Sequence, residues 1–116
     1  MAIKISIESI KIPVEIGDLK FEIDVTDEKY ESFINHFNVF LTKIEALDEA
    51  NSEEMANLKV LIKEVYDELL GVGAYEKTYA VMPNMSFIAS ALANIVMQLV
   101  EEMDKRAGAV AELKKK

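Results

Sequence analysis

The sequence predicts an α+β fold, an N-terminal antiparallel β-hairpin or three-stranded sheet followed by about three α-helices. Three observations carry this. Apolar residues alternate with period two up to Val25 and recur at helical spacing afterwards. A Gly17-Asp18 pair separates two alternating runs, and Gly71 and Pro83 punctuate the helical half. A chain of 116 residues, 51% hydrophobic and 29% charged, fits one globular domain with its own core. The expected boundaries are a single domain over residues 1–107 and a flexible, basic tail over 108–116, opened by Gly108.

Ile3, Ile5 and Ile7 alternate with polar residues and form the first expected strand. Ile10, Ile12, Val14 and Ile16 form the second, and Leu19, Phe21, Ile23 and Val25 the third. A two-residue Gly-Asp loop makes a tight hairpin, because glycine accepts the positive φ such turns need. That loop sets Ile16 against Leu19, Val14 against Phe21 and Ile12 against Ile23, with Ile10 against Val25. On the other face Glu15 meets Lys20 and Lys11 meets Asp24, each pair opposite in sign. Pro13 falls opposite Glu22 at a pair that exchanges no hydrogen bonds, and it blunts the outer edge of its strand. Residues 3–7 therefore pair beside residues 19–25, past Pro13, or with another subunit.

Thr26 or Asp27 can cap the first helix, whose apolar face is Tyr30, Phe33, Ile34, Phe37, Leu41 and Ile44, bordered by Phe40. This face is expected to dock on the sheet. After a polar connection over 48–52, Asn51 or Ser52 caps the second helix, and Asn51 with Glu54 has capping-box spacing. Its stripe is Met55, Leu58, Leu61, Ile62, Val65, Tyr66 and Leu69. Gly71 sits where a left-handed terminating residue belongs, and Val72 is placed to close the cap. Residues 74–80 suit a short helix with Tyr75 and Tyr79 on one side. Asn84 caps the last helix, expected over 85–105. Its apolar face is wide: Ile88, Ala89, Leu92, Ala93, Ile95, Val96, Leu99, Val100 and Met103. Such a face fits a helix sandwiched between layers or one buried between subunits.

Net charge is −8, which opposes binding to nucleic acid or to anionic membranes. No cysteine is present, so disulfides and thiolate chemistry are excluded. The N-terminal segment alternates where a signal peptide would be continuously apolar, and residues 88–100 are too short to span a bilayer. The expected location is the cytoplasm.

The side chains offer no catalytic set. His36, the sole histidine, lies beside the first helix's stripe with no nucleophile assigned to it. Glu49, Glu53 and Glu54, and again Glu101, Glu102 and Asp104, cluster without the spacing of an oxygen-ligand metal loop, and solvated helix ends explain them. Asp24, Asp27 and Glu28 surround a strand-to-helix corner and read as capping residues. Gly71-Val72-Gly73 follows a helix and lacks the lysine of a phosphate loop. Met82, Met85, Met97 and Met103 fill core gaps or make an adaptable binding surface. No catalytic residue, metal ligand or cofactor site is expected.

Residues 64–103 carry Asp67-Glu68, then Gly71 and Gly73, then Tyr75-Glu76-Lys77 with Tyr79, then Pro83-Asn84, then Glu101-Glu102. This order resembles the tail assembly chaperones of long-tailed, siphovirus-type phages and prophages of Gram-positive bacteria. A short hairpin followed by FEIDVTDEKYESF also looks like members of that group, so the resemblance covers roughly residues 17–104. It implies a non-enzymatic protein of the bacterial host cytoplasm that binds the tape-measure protein, recruits tail-tube subunits and is absent from the mature virion. It also implies a longer product made by frameshifting, for which codons of Lys114, Lys115 and Lys116 could supply a slippery run. Val72, Tyr75, Tyr79, Met82 and Met85 are the expected partner contacts. The alternatives are another prophage structural or adaptor protein, and an acidic inhibitor or antitoxin with a basic partner. Homo-oligomerisation is open.

Overall fold

A computed structural model of the chain describes residues 2–4, 10–48 and 50–114. The fold is α+β. Two strands, β1 (Lys11–Ile16) and β2 (Leu19–Asp24), are followed by α1 (Asp27–Glu45), α2 (Ser52–Leu70), α3 (Ala74–Val81) and α4 (Met85–Lys114). The expected strand over residues 3–7 falls largely outside the described residues.

The hairpin has the register that its face pattern demands. Ile12 lies opposite Ile23, Val14 opposite Phe21 and Ile16 opposite Leu19, with Pro13 opposite Glu22. The Val25 N–H donates to the Ile10 carbonyl at 2.7 Å and extends the ladder by one pair. Gly17 takes a φ of 59°, the left-handed turn conformation that an L side chain resists.

α1 differs from expectation at its start and in its docking. Thr26 is the N-cap but its side chain caps nothing. The Asp24 carboxylate instead accepts the Thr26 N–H at 2.9 Å, and this bond holds the Asp24 carboxyl below its ordinary range. α1 lies along α2, whereas β2 packs chiefly on α2 and α3. A two-stranded sheet is too narrow to carry three helices, so α2 becomes the central layer. Phe33 is buried, and Phe33, Phe37 and Phe40 stack in succession at centroid distances of 5.6 and 5.5 Å. Leu41, expected on the buried stripe, is exposed because α2 covers only one side of α1.

The start of α2 is half a capping box. Asn51 Oδ1 accepts the N–H groups of Glu53 and Glu54 at 2.9 and 3.3 Å. The Glu54 carboxylate reaches past Asn51 to accept the Asp48 N–H, and so ties down the connection instead. The core gathers Ile62, Val65, Tyr66, Leu69 and Leu70 of α2 with Ile23, Val25, Phe33, Ala74, Ile88, Leu92, Val96 and Leu99.

α4 runs through Gly108 to Lys114, so the expected helix end at Gly108 is corrected. One interior glycine costs a helix only about 1 kcal/mol, and the flanking Ala107, Ala109, Ala111, Glu112, Leu113 and Lys114 include strong helix formers. The long helix gives the described chain a major extent of 65 Å against 32 and 19 Å.

Candidate interaction surface

The turn from α2 into α3 is built on two glycines with different duties. Gly71 takes φ 108° and ψ 153°, a region open almost only to glycine, while Gly73 is left-handed at φ 90° and ψ −3°. Gly71 thus ends α2 at positive φ as expected but outside the left-handed helical region, and the left-handed residue of the corner is Gly73, the N-cap of α3. Between them Val72 is 96% exposed and does not close the helix end. With ψ extended at Gly71, the chain leaves the axis of α2 and carries Val72 outward.

Asp67 holds this corner twice. Its backbone carbonyl accepts the Gly71 N–H at 3.1 Å, and its side chain accepts the Tyr75 N–H at 3.1 Å. Lys63 adds an exposed ion pair to Glu76 at 3.3 Å. α3 is therefore fixed to the last turns of α2. Thr78 is the buried polar residue of α3, and its hydroxyl donates to the Ala74 carbonyl at 2.8 Å.

The aromatic residues of the corner form one continuous layer. Tyr66 is 0% exposed, and its hydroxyl donates to the Ile88 carbonyl at 2.6 Å, joining α2 to α4. Tyr75 meets Tyr66 edge-on at 6.1 Å and stacks on Tyr79 at 5.8 Å. The Tyr75 hydroxyl points at the Met85 sulfur, 3.4 Å away. Burial pushes the Tyr75 phenol up, with Tyr79 adding to the effect and Lys63 opposing it.

Of the five residues expected to contact a partner, Tyr75, Tyr79 and Met85 touch in one cluster and are half-buried. Met82 and Val72 are exposed at either side of α3. Two exposed apolar residues near this corner were not anticipated, Val81 at 63% and Phe87, while Met97, further along α4, is exposed as an adaptable surface methionine would be. Val81 and Phe87 lie in the uncharged run between Lys77 and Glu101, and that run was the available signal. Tyr66 and Asp67 were also missed as organisers of the corner. The spacing of Asp67 from Gly71 marks a carboxylate one turn before the helix end, where it can meet the returning chain.

A second concavity lies between β1 and α4. It holds about 460 Å³ and is lined by residues that include Ile12, Val14, Ile95, Leu99, Glu102 and Arg106. Arg106 pairs there with Glu102 at 3.2 Å. His36 sits elsewhere, bonded through Nδ1 to Glu68 at 2.6 Å across α1 and α2. Among the described residues no group of three or more His, Asp or Glu side chains is placed to hold a metal ion. No helix among them is long and apolar enough to cross a membrane. Comparison with protein-family models, curated proteins and solved structures finds no match.

Proposed function

We propose that this protein is a non-enzymatic binding protein, a phage tail assembly chaperone. In this reading it acts in the bacterial host cytoplasm, holds the tape-measure protein and tail-tube subunits during assembly, and leaves before the virion is complete. The carrying observation is the aromatic and methionine corner, where Val72, Val81 and Met82 stand exposed beside the Tyr75–Tyr79–Met85 layer. Exposed apolar residues flanking a half-buried aromatic cluster suit capture of an apolar helix. Methionine adapts to varied partners, and tyrosine contributes area with little entropy to lose. The net charge of −8 would keep a complex with a hydrophobic client in solution. The order of acidic helix end, glycine corner, tyrosine helix and long last helix supports the reading too.

The test is affinity capture of the tagged full chain from source cells during prophage induction, with partners identified by mass. Recovery of a very long helical protein or a tube subunit, lost in Val72→Asp and Tyr79→Ala, is the expected result. Capture of one small basic protein would point to an inhibitor instead. Retention of the chain in purified particles would make it a structural component.

A further inference from the structure

We draw no further inference here: the strongest candidate, the open groove of about 460 Å³ between β1 and α4 walled by Ile12, Val14, Ile95 and Leu99, is an apolar concavity beside a strand edge, and nothing in the structure shows what covers it.

Discussion

Replacing Tyr66 with phenylalanine isolates one bond at the centre of the fold. The ring is buried and Phe fills nearly the same space, so the change removes only the hydroxyl that donates to the Ile88 carbonyl at 2.6 Å. A net buried hydrogen bond is worth about 1 kcal/mol, so at pH 7 the variant should melt about 4 °C lower. Alkali should reverse the order. Burial pushes the Tyr66 phenol from 10.0 up to about 12 in the folded state. Below pH 10 the phenol is neutral in both states and its contribution is complete. Between pH 10 and 12 the unfolded chain ionises and the folded chain does not. Stability then falls by about 1.4 kcal/mol per pH unit, to a loss of roughly 3 kcal/mol in all. The phenylalanine variant escapes this loss, and the other tyrosines are common to both proteins and cancel in the difference. The two urea-unfolding free energies should therefore cross at about pH 11. Equal stability at pH 7, or a difference that stays constant from neutral pH through the alkaline range, would refute both the bond and the burial argument.

The glycines should separate by conformation. Gly71→Ala and Gly73→Ala place a side chain at positive φ and should each cost about 1–3 kcal/mol in thermal melts. Gly108→Ala lies in open space inside α4 and should gain about 1 kcal/mol, with more helical signal in circular dichroism; a loss there would argue against the continuous helix. Asn51→Ala removes the acceptor of two N–H groups at the start of α2 and should cost about 1 kcal/mol in urea unfolding. Glu68→Ala breaks an exposed contact to His36 and should cost under about 1 kcal/mol, with a larger loss pointing to a contact beyond this pair.

The hairpin was legible to the residue because two faces and one loop all had to agree. A slip by one position would have exposed Ile12, Ile23, Val14 and Phe21 together. The helices were legible as periodic stripes, but their neighbours were not. Periodicity says which side of α1 is covered and nothing about whether a sheet or α2 covers it, which is why Leu41 was misplaced. Gly108 misled because glycine reads as punctuation, while its weak penalty is outvoted by the residues around it. In the candidate site, Tyr75 and Tyr79 were recoverable from their helical spacing, whereas the contact of Tyr75 with Met85 depends on how α4 returns after Pro83. Val72 failed as a cap because its outcome hung on the ψ angle of Gly71, which no side-chain pattern encodes.

If the tyrosine corner captures a client as proposed, the double hold of Asp67 on Gly71 and Tyr75 would bear on how fast and how tightly it does so. A loop that wanders must be frozen by its partner, and that ordering is subtracted from affinity. Here the chain's own carboxylate has already done the freezing, so α3 would meet such a segment in its final orientation. An Asp67→Ala protein would keep every apolar side chain of the corner and present them as an ensemble, so that its loss of binding would be felt as entropy rather than as missing contact.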